Sequence, residues 1–139
     1  ETRIKMVDKR LFKKLPLVRA EIGPPLLYGS EKPDIVLVGW GSNYGVMKEG
    51  VDILSKDKNI AMLHFSEIFP FPDTDKFNYL KLLSEAGLSI CIENNATGQF
   101  ARLVRAETGF EFKHRFNKYD GRPFLVEELV AAIRGQING

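Results

Sequence analysis

From Asp34 onward the sequence switches repeatedly between two hydrophobic periods. Ile35-Val36-Leu37-Val38 is a continuous apolar run, and Met47, Gly50, Val51 and Leu54 follow it at i, i+3, i+4 and i+7. The first pattern predicts a strand buried on both faces, the second an amphipathic helix. The pair recurs twice. Ile60-Ala61-Met62-Leu63 precedes Tyr79, Leu82, Leu83 and Ala86, and Ile90-Cys91-Ile92 precedes Phe100, Leu103 and Val104. Gly87 and Gly109 stand where helix C-terminal caps are expected. Apolar strands alternating with helices form a parallel sheet covered on both sides, because each right-handed crossover lays its helix against the sheet. The predicted fold class is α/β, a three-layer sandwich around a mostly parallel sheet.

Phe110 to Phe116 breaks this rhythm. Phe110, Phe112, His114 and Phe116 alternate with Glu111, Lys113 and Arg115, the pattern of a half-exposed strand, which places it at an edge where it can run antiparallel. A last helix is expected from Leu125 to about Gln136, with Val126, Leu129, Val130 and Ile133 on one stripe. Before Asp34 the chain is different. Residues 1–20 form a basic helix in which Ile4, Met6, Val7, Leu11 and Leu15 recur at near-helical spacing. Residues 21–33, with Gly23-Pro24-Pro25 and the segment Tyr28 to Pro33, read as a linker loop. The α/β domain then occupies residues 34–139.

Charge sharpens the picture of the arm. Net charge is only +2, yet Arg3, Lys5, Lys9, Arg10, Lys13, Lys14 and Arg19 fall in the first twenty residues against Glu1 and Asp8. With its apolar positions, the arm predicts a protein surface as its partner rather than nucleic acid, since it lacks the interleaved surface aromatics of a single-strand binder. The rest of the composition is ordinary: 139 residues, 44% hydrophobic and 27% charged, which fits one soluble domain. No run approaches the roughly 18 apolar residues of a membrane span. The sequence begins at Glu1 without a secretory leader, and a reducing, cytoplasmic location is expected. Cys91 is the single cysteine, expected as a small buried hydrophobe, and His64 and His114 are too far apart in sequence to suggest a metal site.

Candidate chemistry gathers beyond the carboxyl ends of the predicted strands, where helix N-termini offer free amides. Gly39-Trp40-Gly41-Ser42-Asn43-Tyr44-Gly45 is glycine-rich but matches neither the phosphate-loop nor the dinucleotide pattern, so a tight turn capped by Ser42 or Asn43 is expected. Trp40 is expected at an interface. His64 reads as a satisfied near-core histidine. The Phe69-Pro70-Phe71-Pro72 loop that follows is rigid and apolar, so a partner is expected to cover Phe69 and Phe71. In Glu93-Asn94-Asn95-Ala96-Thr97-Gly98-Gln99, Thr97 is the expected N-cap of a helix starting at Gly98, and Asn94 and Asn95 close the turn. Glu93 and Gln99 have no local reason and are expected to hydrogen-bond across a domain or subunit boundary. Tyr119, Asp120 and Arg122 lie in the turn Lys118 to Pro123. No paired carboxylates or nucleophile–base spacing stand out, so neither a catalytic nor a metal-binding residue is assigned.

Taken together, LVGWGSNYG, FPFP, IENNATGQFARLVRAETG and KYDGRPF, in this order, closely resemble the C-terminal domain of the alpha subunit of 2-oxoacid:ferredoxin oxidoreductases, most of all the 2-oxoglutarate type. The resemblance implies a transketolase C-terminal-domain-like fold. It implies that Trp40, Ser42, Glu93, Asn94, Asn95, Thr97, Gly98, Gln99, Tyr119, Asp120 and Arg122 occupy recurrent motif positions with structural or interfacial roles. It further implies an enzyme that decarboxylates a 2-oxoacid on thiamine diphosphate with magnesium, passes electrons through an iron–sulfur cluster to ferredoxin and releases an acyl-CoA. Those cofactors would be held largely by the other alpha-subunit domains and the beta subunit, with none bound by this domain alone, so the isolated chain is expected to be inactive. The competing expectation is a free-standing flavodoxin-like module that holds a small anion or nucleotide in a pocket of its own at the strand ends. An assembly domain would instead leave Trp40 and the Phe69 to Phe71 loop on a flat apolar surface.

Overall fold

The computed structural model describes residues 1–138. A helical arm comes first: α1 (Thr2–Asp8), a π-helical segment (Lys9–Lys14) and α2 (Leu15–Glu21). Then follow β1 (Leu26–Gly29), β2 (Ile35–Trp40), α3 (Tyr44–Leu54), β3 (Ile60–Phe65), α4 (Tyr79–Glu85), β4 (Leu88–Glu93), α5 (Gln99–Thr108), β5 (His114–Asn117) and α6 (Val126–Asn138). The five strands form one sheet in the order β1-β3-β2-β4-β5.

The apolar strands fix the layers. In β2 the side chains of Ile35 and Leu37 go to one face and those of Val36 and Val38 to the other, as the two-residue period requires. On the first face Leu37, Met62, Ile90 and Ile92 pack with Met47, Val51 and Leu54 of α3 and with Leu129 and Ile133 of α6. On the second, Val38, Leu63, Phe65 and Cys91 pack with Tyr79 and Leu83 of α4 and with Phe100, Ala101 and Val104 of α5. The predicted three-layer α/β sandwich is therefore present, and the positions named for α3 are all buried.

Two edges differ from expectation. β5 begins only at His114 and runs parallel to β4, because the chain reaches it through the α5 crossover. Phe110 and Phe112 precede the strand and meet edge to face at 5.2 Å, with Phe112 buried in the second core. The antiparallel strand is β1 at the opposite edge, inside the stretch read as a linker loop, where Leu26 pairs with His64 and Gly29 with Ala61. The prolines around β1 concealed it, and an edge position is where a strand tolerates them. Gly109 does cap α5 in the left-handed region at φ +77°. Gly87 does not cap α4, whose C-cap is Ala86 in extended conformation.

Candidate functional site

Because β3 lies on one side of β2 and β4 on the other, the connections after β2 and β4 diverge and open a crevice at the carboxyl edge of the sheet. Its first wall is the loop after β2. Gly39 lets α3 close in: a Cβ there would stand 2.5 Å from the Met47 sulfur and 3.3 Å from the Ile92 carbonyl. Gly41, at φ +59°, turns the chain into a short 3-10 segment, Gly41–Asn43. Asn43 is 6% exposed and donates its Nδ2 to the Ile92 carbonyl at 3.2 Å, stitching this loop to the end of β4. Trp40 is half-buried, with its ring 6.3 Å from that of Phe100, and so belongs partly to the core. Ser42 is exposed.

The loop after β4 is built around two acceptors. Glu93 closes the strand with 0% exposure. Its Oε2 accepts from the Phe100 amide at 2.7 Å and from Asn95 Nδ2 at 2.8 Å, and its Oε1 accepts from the Ala101 amide at 3.0 Å. The first-turn amides of α5 thus face a buried carboxylate, which they and the helix dipole stabilise. Asn95 Oδ1 in turn accepts from the amides of Thr97, Gly98 and Gln99 at 3.2, 2.7 and 3.2 Å. The capping expected of Thr97 is therefore carried by Asn95 and Glu93. Thr97 is exposed, and Gly98, left-handed at φ +65°, is the N-cap of a helix that starts at Gln99. Glu93 also has the local reason that its sequence context did not reveal. The available signal was a carboxyl residue ending an apolar strand a few residues before a helix, whose reach across seven and eight positions no local rule describes. Gln99 is exposed at the surface. Burial, and then the neighbouring Glu93, push the Cys91 thiol well above its ordinary range, while Sγ lies 3.6 Å from Glu93 Oε1.

The third wall is Lys118 to Pro123. The Lys118 amide donates to the Glu93 carbonyl at 2.9 Å, prolonging the β4–β5 pairing, and its Nζ reaches Glu128 Oε2 at 2.5 Å. Glu128 also accepts from the Leu125 amide at the start of α6, and these two bonds, that to Lys118 first, hold its carboxyl below the usual range. Asp120 accepts from the Arg122 amide at 3.0 Å, which lowers its carboxyl likewise. Asn94 donates across the crevice to the Arg122 carbonyl at 3.5 Å. Tyr119 is 72% exposed.

Three of the four singled-out segments therefore converge. Ser42, Asn43, Asn94, Lys118, Tyr119 and Arg122, with Val46 and Phe124, line an open cleft of about 610 Å³. A hollow of about 230 Å³ between Trp40 and Asn95 adjoins it. The fourth segment joins from the other side of β2. His64 Nε2 lies 2.9 Å from the Gly41 carbonyl, and the ring of Tyr44 meets the imidazole edge-on at 5.2 Å, so the histidine is satisfied within the loop scaffold. Phe71, expected under a partner, is 5% exposed and stacks on Phe65 at 5.7 Å, whereas Phe69 is 68% exposed. The prolines hold the backbone while the two aromatics point to opposite environments.

Comparison with known proteins bears on what this edge serves. No protein-family model matches the chain. It is 34% identical over 137 residues to 2-oxoacid:ferredoxin oxidoreductase 1, subunit alpha, of Aeropyrum pernix, covering 94% of this chain and 21% of that protein. The chain belongs with the alpha subunits of the 2-oxoacid:ferredoxin oxidoreductases. It is 30% identical to the alpha subunit from Saccharolobus solfataricus, covering 99% of this chain and 22% of that one. It thus spans about a fifth of the length of the curated oxidoreductase subunits it matches. The fold agrees as well. The 2-oxoglutarate:ferredoxin oxidoreductase of Magnetococcus marinus, solved with 2-oxoglutarate, coenzyme A and succinyl-CoA bound, superposes with a TM-score of 0.83 at 23% identity, covering 98% of this chain and 23% of that one. The alpha chain of a probable 2-oxoacid ferredoxin oxidoreductase from Thermoplasma acidophilum gives a TM-score of 0.57 at 29% identity, covering 84% of this chain and 98% of that one.

Proposed function

We propose that this chain is the C-terminal structural and assembly domain of an alpha subunit whose complete enzyme oxidatively decarboxylates a 2-oxoacid to an acyl-CoA and reduces ferredoxin. The observation that carries the reading is the convergence of the family's recurrent motifs on one edge of the sheet, where Asn43, Glu93, Asn95 and Lys118 spend their hydrogen bonds on holding loops together. These bonds hold the loops that form the edge rather than activate a nucleophile or base. In the assembled enzyme this domain's loop edge, with Trp40, Ser42, Phe69, Gln99, Tyr119 and Arg122, faces the remaining alpha-subunit domains and the beta subunit, in the cytoplasm.

An iron–sulfur cluster, which needs several thiolates, does not fit the residues of this chain. Cys91, its one cysteine, is enclosed in the core, and among the described residues no group of three or more His, Cys, Asp or Glu comes together to hold a metal. On this reading thiamine diphosphate, magnesium and the iron–sulfur cluster belong to other parts of the enzyme, and no step of the reaction is assigned to this domain. The test is purification of the full-length parent with its partner subunit, followed by a visible spectrum and an assay of 2-oxoacid-dependent viologen or ferredoxin reduction. A brown complex with thiamine diphosphate-dependent reduction is expected. A colourless, lone protein without that activity would sink the reading and favour a small-anion module using the cleft beside Arg122.

A further inference from the structure

Among the described residues the arm is a largely uncovered helix. No side chain of α1, the π-helical segment or α2 is buried, and Ile4, Val7, Leu11, Phe12, Leu17 and Val18 are between 44% and 73% exposed. A helix of this length gains little stability in water from propensity alone and draws most of it from packing an apolar face. Pro16, near the start of α2, removes one backbone donor as well. Yet the arm is no loose tether, because its exit is fixed to the domain. Lys76 Nζ donates to the Ala20 carbonyl at 3.2 Å and the Ile22 carbonyl at 3.4 Å, Glu67 accepts from the Gly23 amide at 3.3 Å, and Ile22 is buried. The exposed apolar positions therefore project from the domain in a set direction.

We infer that this arm is the domain's docking element, seating its apolar side chains in a groove with an acidic rim on the remainder of the alpha subunit. The inference rests on the assembly reading above and names the segment that carries it. Three observations select this occupant. The matched relatives are about five times as long as this chain, which leaves ample further surface in such a subunit. Residues 1–21 carry seven Lys or Arg against three acidic residues, so a groove that covers the arm must offer carboxylates at its edge. The superposition on the Magnetococcus marinus enzyme spans 98% of this chain, arm included, within a chain of which it forms 23%, so the arm belongs to the shared fold in a much larger body.

The test reads the arm's backbone in the intact complex by hydrogen–deuterium exchange, with the isolated 139-residue chain as reference. Amides of Thr2 to Leu15 are expected to exchange at least tenfold more slowly in the complex. The combined substitution Ile4→Asp, Val7→Asp and Leu11→Asp is expected to abolish that protection, while Ile53→Asp, at an exposed position of α3, leaves it in place. Carbodiimide cross-linking should join Lys9 or Lys13 to carboxylates of the remaining alpha subunit, and Lys9→Glu with Lys13→Glu should remove those links even if the triple variant fails to fold. Equal exchange in complex and isolated chain would overturn the inference. So would protection that appears only when two isolated chains pair, or only on vesicles of phosphatidylcholine with phosphatidylglycerol. Loss of 2-oxoacid-dependent reduction in the unsubstituted enzyme, with arm protection intact, would count against the catalytic reading alone.

Discussion

Replacing Glu93 tests the physics of the carboxyl edge most directly. In Glu93→Ala the amides of Phe100 and Ala101, now bonded at 2.7 and 3.0 Å to a side chain of 0% exposure, lose their acceptor where water does not reach. Each orphaned buried donor costs about 1–3 kcal/mol. Asn95 loses its anchor at the same time, which loosens the group that accepts from three further amides. The expected destabilisation is about 3–5 kcal/mol, a large share of the roughly 5–15 kcal/mol that holds a domain folded. Glu93→Gln keeps the shape and one acceptor oxygen but turns an NH2 group toward an N–H, and should cost about 2–3 kcal/mol. Gln99→Ala, at an exposed position, should stay within about 0.5 kcal/mol. Urea unfolding followed by the fluorescence of Trp40, the single tryptophan, reports on this place because its ring lies 6.3 Å from Phe100. A Glu93→Ala chain within about 1 kcal/mol of the parent would show that α5 does not depend on the buried carboxylate.

Two other perturbations follow from the same geometry. Cys91 should resist thiol reagents in the folded chain and react at once in urea. Its folded-state thiol is raised above the ordinary value of 9.0 by burial first and Glu93 second, so above that pH the unfolded chain ionises while the folded one does not, and stability measured by urea titration should fall as pH rises through 9 to 10. Gly29→Ala should cost more than Gly109→Ala, by about 1–3 kcal/mol in thermal or urea unfolding. Both sit at positive φ, but a Cβ at Gly29 would lie 2.6 Å from the Ile60 carbonyl, while one at Gly109 meets nothing within 4 Å.

The parts of this fold that could be read from sequence are those whose burial is written along one element. β2, β3 and β4 are each built on an apolar run, and Met47, Val51 and Leu54 mark the buried stripe of α3 without help from any neighbour. β1 could not be read this way, since four residues between prolines carry no period and pair only because β3 presents an open edge. The same holds at the site. That polar residues gather at the strand ends was legible, but which of them hold the loops was not. Thr97 looked like the cap by type and position, whereas the bonds go to Asn95 and to Glu93, whose partners lie seven and eight residues away through a turn that Gly98 permits. Phe69 and Phe71 are alike in sequence and opposite in burial, a distinction set by the ring of Phe65 and not by the loop.

The sheet's two borders have a consequence of their own. β1 and β5 are each four residues long, one preceded by Pro24-Pro25 and the other bearing exposed Arg115 between half-buried neighbours. Short, charged or proline-guarded borders discourage the addition of a foreign strand. Growth of the sheet from one molecule into the next is thereby suppressed, which protects a domain with so apolar an interior from fibre-like stacking and leaves its loops and helices as the surfaces through which it can be joined.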